Sequence, residues 1–401
     1  MFQTGSSDII LPKKGCTTCG KHNQFDPAKS TSFSPMPGNV SKAEFNTAGT
    51  TKPLKEFVDA KCTTVTDTVT YDPLVVHNQT LRVCENLPQD LWDSPIDGIV
   101  GLAPAPQSNI SLPFFWNLYY SGQLAEPQVS LYTPPGQREN AAEMTFGGID
   151  HSKYKGDIYW VDISKDARSP AMNVVELQNV YINSTEALVP RFVRPSPSSS
   201  AALRSRSTST STAAASISTA AESTSTPAAS ASVSTSASTS TSTAAASASA
   251  SAGLAPVHAQ PALSLMDTGT AFIQPPTKEA TAALYKQISP KIKQIDPAGA
   301  WGAPCETLDA IAPSLKFIVG HGSQKFTLVI EPKYFNLGEY PGKPGICQAV
   351  FNSPVIPTGI NEKPMWILGS PVLKTFYSIY DGLHRKIGFA ETVESFDSPN
   401  H

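Results

Sequence analysis

The chain has 401 residues, 40% of them hydrophobic and 16% charged, enough to bury one large or two ordinary cores. Its 30 Lys and Arg against 33 Asp and Glu give a formal net charge of -3, which leaves no cationic surface for nucleic acid or for an anionic membrane. No apolar run approaches the roughly 18 residues that a membrane-spanning helix requires, and the polar tail ETVESFDSPNH is no lipid-anchor precursor.

In chain order, the opening residues MFQTGSSDIILP have no cationic start, no long apolar stretch and no small-residue cleavage site, so a signal peptide is absent from this chain. Six cysteines, four Asn-x-Ser/Thr sequons beginning at Asn39, Asn78, Asn109 and Asn183, and a mid-chain Ser/Thr tract nevertheless point to an extracellular or secretory-pathway protein, with the vacuole or cell wall as further destinations. Cys16-Thr17-Thr18-Cys19 reads as a small disulfide loop rather than half a zinc site or a redox pair, since no second pair has matching spacing. Short β-branched and aromatic stretches punctuated by Gly, Pro, Asn and Asp, at 65–76, 144–146, 157–163 and 315–319, predict an all-β fold. Helices are expected only as accessories, over 112–121 and over 278–288 after a Pro-Pro start.

Residues 194–256 collapse to Ser, Thr and Ala, a composition that cannot offset its ordering entropy by burial and predicts a disordered insertion. Such an insertion is tolerated inside a folded lobe because loop-closure entropy grows only with the logarithm of length. The seven histidines show no metal-binding spacing and no Gly-x-Ser-x-Gly elbow accompanies them, so neither metal nor cofactor is expected. Asp97-Gly98 and Asp381-Gly382 read as turn pairs.

One short motif occurs twice. Gln3-Thr4-Gly5-Ser6 is echoed by Asp267-Thr268-Gly269-Thr270, and each is followed downstream by apolar residues ending in Gly: Ile99-Val100-Gly101 and Ile367-Leu368-Gly369. With Phe25-Asp26-Pro27, Phe146-Gly147-Gly148-Ile149-Asp150 and the closing Ile387-Gly388-Phe389-Ala390, the chain resembles the pepsin-like aspartic peptidases, of the secreted, fungal type. That resemblance implies two β lobes related by a pseudo-twofold axis, with a cleft between them for an extended peptide. The lobes are expected at 1–155 and at 156–193 plus 257–395, with 396–401 as a tail. It also implies a monomer, and it places the family's signal peptide, propeptide and first strands ahead of Met1, with a misplaced start codon as the account of their absence. Cys305 pairs with Cys347 by the same resemblance; Cys62 and Cys84 then flank the strands of 65–83, where a cross-strand bridge is geometrically reasonable.

In this family two Asp-Thr-Gly turns bring two carboxyls together to share one proton, the charged member activating a water and the protonated one donating to the scissile carbonyl. By resemblance Asp267 keeps its role, Thr4 and Thr268 brace the turns, Gly5 and Gly269 allow close approach, and Ser6 and Thr270 orient the acids. Gln3 stands where the first Asp belongs and cannot give up a proton. Asp267, without a carboxylate neighbour, is then expected to titrate as a single ordinary carboxyl. Nearby Asp8 is a poor substitute because it lies beyond the turn. At the flap, Ala48 before Gly49 takes the place of the family's tyrosine, and Ile10 that of its supporting tryptophan. The expected function is aspartic endopeptidase activity, impaired or lost through Gln3; the alternatives are a non-catalytic peptide-binding protein or a wall-associated spacer.

Overall fold

The computed structural model describes residues 1–45, 49–55, 58–87, 96–104, 112–133, 142–166, 172–183 and 261–393. All belong to one compact unit, Met1–Arg191 with Gly253–His401. The insertion at 194–256, the sequon at Asn109, Ala48 and the tail lie outside the described residues.

The fold is all-β and bilobal. A six-stranded sheet in the order Phe2–Gln3, Ile99–Gly101, Ile9–Pro12, Leu74–Cys84, Val58–Tyr71, Ser34–Phe45 forms the first lobe. Its centre is the hairpin Val58–Tyr71 and Leu74–Cys84, whose Val65, Val76, Leu81 and Val83 turn inward on Phe114, Phe115, Trp116 and Leu118 of the helix Phe114–Tyr120. The single segment expected over 65–76 is thus two strands, because Pro73, with no N–H to give a ladder, sits in the turn between them. The expected helix over 112–121 begins only after Pro113.

The second lobe holds a sheet ordered Ile273–Gln274, Lys363–Leu368, Ala262–Met266, Val174–Ile182, Leu315–His321, Gln324–Ile330. Ala262–Met266 is buried at all five positions, as a central strand covered on both faces must be. The helix Lys278–Ile288 starts at a Thr277 cap, whose hydroxyl accepts from Ala280 N.

A five-stranded sheet runs Glu143–Phe146, Gln128–Tyr132, Phe376–Asp381, Lys386–Thr392, Tyr154–Asp162. It draws strands from before residue 155 and from the end of the chain, and the boundary expected at 155/156 falls inside Tyr154–Asp162. Asp381 ends the strand Phe376–Asp381 rather than serving as a plain turn residue: it is buried and accepts from Gln128 Nε2 at 2.8 Å, with His384 Nδ1 2.9 Å away.

The three disulfides are Cys16–Cys19, Cys62–Cys84 and Cys305–Cys347. Cys62 and Cys84 are direct partners across the hairpin, 3.9 Å apart at Cα. The third ties the start of the helix Cys305–Ile311 to the strand Ile346–Ala349.

Candidate active site

The two turns are built alike. Phe2–Gln3 runs parallel to Ile99–Gly101, with Gln3 opposite Gly101, and the chain returns through Ile9–Pro12 antiparallel to the same strand. In the second copy Ala262–Met266 runs parallel to Lys363–Leu368, with Met266 opposite Leu368, and Ile273–Gln274 returns antiparallel. A strand therefore threads each loop, and the residue at its end, Gly101, or just past it, Gly369, must be glycine. A Cβ on Gly101 would sit 2.5 Å from Ser6 O and 2.6 Å from Asp8 N, and one on Gly369 would strike the carbonyls of Thr270 and Phe272. That contact is the physical content of the apolar-apolar-Gly pattern.

The turns meet through their threonines. Thr4 Oγ1 donates to Met266 O at 2.8 Å and accepts from Thr268 N at 3.0 Å. Thr268 Oγ1 accepts from Thr4 N at 3.1 Å and donates to Phe2 O at 3.3 Å. Each hydroxyl thus caps backbone groups of the opposite loop, and Thr4 and Met266 are removed from water while Thr268 is half-buried.

The glycines of the two motifs face the opposing first residue. A Cβ on Gly5 would lie 2.6 Å from Asp267 Cγ, and one on Gly269 would lie 2.5 Å from Gln3 Cδ and 3.0 Å from its Nε2. The Gln3 carboxamide and the Asp267 carboxyl therefore occupy matching places.

Their surroundings differ. Asp267 is buried, with Oδ1 accepting from Gly269 N at 2.8 Å, Oδ2 accepting from Thr270 Oγ1 at 2.6 Å, and a further bond from Gly5 N–H. Burial lifts its pKa above the ordinary carboxyl value, and these three donors oppose that lift without cancelling it. The ordinary titration expected from the sequence is thus corrected: loss of the neighbouring carboxylate removes the repulsion, but desolvation remains.

Ser6 also departs from expectation. Its Oγ is buried and makes no hydrogen bond among the described residues, whereas Thr270, its counterpart, is bonded to Asp267. A carboxylate at position 3 would offer such a hydroxyl an acceptor on either oxygen; the Gln3 carboxamide, in the matching place, makes no bond to it. Asp8, the other nearby acid, is paired with Arg82 Nη2 at 3.0 Å, and burial raises its pKa against the pull of that cation.

Around the flap, Gly49 takes a left-handed φ of +70° and packs on Met1. Ile10 is buried with Ala43, Phe45, Leu54 and Ile99. Thr51 is held from the second lobe, its carbonyl accepting from Gln348 Nε2 at 2.7 Å and Asn352 Nδ2 at 3.2 Å. Sequence reasoning missed these two amides. It also missed Asn173, whose Nδ2 donates to Thr4 O at 2.8 Å while its carbonyl accepts from Met266 N at 2.9 Å. Asn173 stands between the two turns and belongs to neither motif.

A model of the eukaryotic aspartyl protease family matches residues 1–239 and 222–392. Bovine pregnancy-associated glycoprotein 2 is 23% identical over 407 aligned positions, covering 98% of this chain and 78% of that protein. Human gastricsin is 24% identical over 396, covering 97% of this chain and 76% of its own. Chymosin of Callithrix jacchus is 33% identical over 168 residues, a stretch that spans 41% of each protein.

Proposed function

The chain belongs to the eukaryotic aspartyl protease family, and from there we propose that it is a secreted, monomeric member whose cleft takes an extended peptide and whose peptidase chemistry is cut down at Gln3. Its lobes are 1–155 and 156–193 with 257–395, the second interrupted by the Ser/Thr/Ala insertion at 194–256, and its sequons carry glycan. Asp267 is the acid that activates water; Thr4, Gly5, Thr268, Gly269 and Thr270 hold the two turns in place.

One observation carries the reading. The second turn is complete, with three donors on the Asp267 carboxyl, whereas the first presents an amide and leaves the Ser6 hydroxyl without an acceptor. An amide cannot exchange protons, and losing one acid-base partner costs on the order of 100 to 10,000-fold in rate. Restoring the acid supplies the test: Gln3→Asp is expected to raise the rate of protein cleavage in acid by that factor. An unchanged rate would show that position 3 does not limit the chemistry.

A peptide-binding role without turnover is the second reading, favoured by Gln3 together with Ile10 in place of an aromatic flap support. Under it, a peptide is retained by the unmodified chain and by Gln3→Asp alike, and neither cleaves it. A wall-associated spacer role would rest on the insertion alone.

A further inference from the structure

We propose that Gln3 acts as the oxyanion donor of a peptidase with a single carboxylate, its amide N–H holding the scissile carbonyl oxygen while Asp267 does all the proton transfer. This inference rests on the peptidase reading above and specifies how the slow residual reaction proceeds. Three observations carry it. The Gln3 carboxamide lies against Gly269 as the Asp267 carboxyl lies against Gly5, so it holds the position from which a second carboxyl would reach substrate. Its amide makes no hydrogen bond among the described residues, while Asp267 takes three donors, from Gly269, Thr270 and Gly5, and none from Gln3. Both turns are fixed by the reciprocal threonine bonds, so an amide at this position is preorganised.

The chemistry closes with one carboxylate. Water held on Asp267 attacks the scissile carbonyl carbon; the new C–O bond forms as the π pair moves onto oxygen, where a Gln3 N–H receives it, and Asp267 takes the water proton. As the C–N bond breaks, Asp267 returns that proton to the leaving nitrogen and the oxyanion pair re-forms the C=O. A carboxylic acid and an amine leave, and Asp267 is again a carboxylate. The protonated partner of a two-carboxyl site also donates to the carbonyl oxygen in the attack step, and a carboxamide can supply that hydrogen bond at any pH.

The pH dependence follows. A site needing one charged and one protonated carboxyl works in an acid window and fails above its upper pKa. A site with Gln3 as donor needs only the charged Asp267, so its rate rises as that carboxyl ionises and then stays level. Among the described residues, the ionisable side chain in electrostatic contact with Asp267 is Tyr380, whose phenol burial keeps neutral; Met1 N is bonded to Gly98 O and Asp8 is paired with Arg82, so neither reshapes the profile.

The test is cleavage of a denatured protein by the full chain between about pH 3 and pH 7, a span that starts below ordinary carboxyl titration and runs well above it. The unmodified chain, Gln3→Asn, Gln3→Ala, Gln3→Asp and Asp267→Asn are compared, with near-UV circular dichroism as the folding control. Slow cleavage by the unmodified chain is expected, with a rate that climbs to a plateau, against a bell-shaped profile for Gln3→Asp. Loss of one oxyanion donor costs about 100 to 1,000-fold, so Gln3→Ala is expected at the Asp267→Asn background, while Gln3→Asn keeps part of the rate. The inference is overturned, with the peptidase reading intact, if Gln3→Ala matches the unmodified chain, if the unmodified profile is itself a bell, or if only Gln3→Asp exceeds background. Background rates from every protein, Gln3→Asp included, overturn both.

Discussion

Asp267 is a buried carboxyl caged by three donors, and burial is the larger influence on it. A carboxyl whose pKa is higher in the folded than in the unfolded chain binds protons more tightly when folded. Its contribution therefore favours folding below the unfolded value of about 3.9 and is lost as pH rises through the folded pKa. Asp267→Asn, which removes the charge but keeps an acceptor for Gly269 N, is expected to raise the melting temperature at pH 7 and to leave it nearly unchanged at pH 3. Thermal scans at both values check this, and a larger gain at pH 3 would contradict the assigned direction. The duplication was legible in the sequence, because three-residue turns carry their chemistry locally. The raised Asp267 pKa was not: it depends on how completely strands from four parts of the chain cover the turn.

At the scale of elements, the segment from Gly49 to Lys55 is fastened at both kinds of contact: Leu54 is buried beside Ile10 and Ile99, and the Thr51 carbonyl accepts two amides from the second lobe. Gln348 and Asn352 are themselves buried, and Gln348 Nε2 also donates to Asn352 Oδ1 at 3.0 Å. Replacing both by alanine leaves the half-buried Thr51 carbonyl without these donors, at a cost of about 0.5–1.5 kcal/mol for each bond lost. Backbone amide exchange in 49–55 is expected to quicken by about tenfold or more, since about 1.4 kcal/mol corresponds to tenfold. Unchanged exchange would mean that the segment is held by Leu54 alone. The two amides lie between Cys347 and the strand Lys363–Leu368 with no periodicity to mark them, so nothing in the sequence distinguished them from loop residues. The disulfides were easier to foresee, being a small even set, and the Cys62–Cys84 register shows why that pair closes: the two cysteines face each other across one hairpin.

Over the whole molecule, two copies of one strand-turn-strand unit, each threaded by a third strand, meet at a pair of threonines, and a shared five-stranded sheet joins sequence from both halves. Thr4→Val keeps the shape but removes the hydroxyl that serves both Met266 O and Thr268 N. Each orphaned buried group costs about 1–3 kcal/mol, so a single lowered unfolding transition is expected in calorimetry. A variant as stable as the unmodified chain would show that the lobes are held by the sheet alone. The two-lobed organisation was readable from the repeated motif; the crossing of the 155/156 boundary by Tyr154–Asp162 was not, because sheet membership is decided by partners more than 200 residues away. The proposed function stands or falls on position 3 as the limit on cleavage. The most direct measurement is the initial rate of protein cleavage near pH 4 by the unmodified chain and by Gln3→Asp, prepared and assayed side by side. The account predicts that Gln3→Asp is faster by about 100 to 10,000-fold; equal rates, whether both fast or both absent, would contradict it.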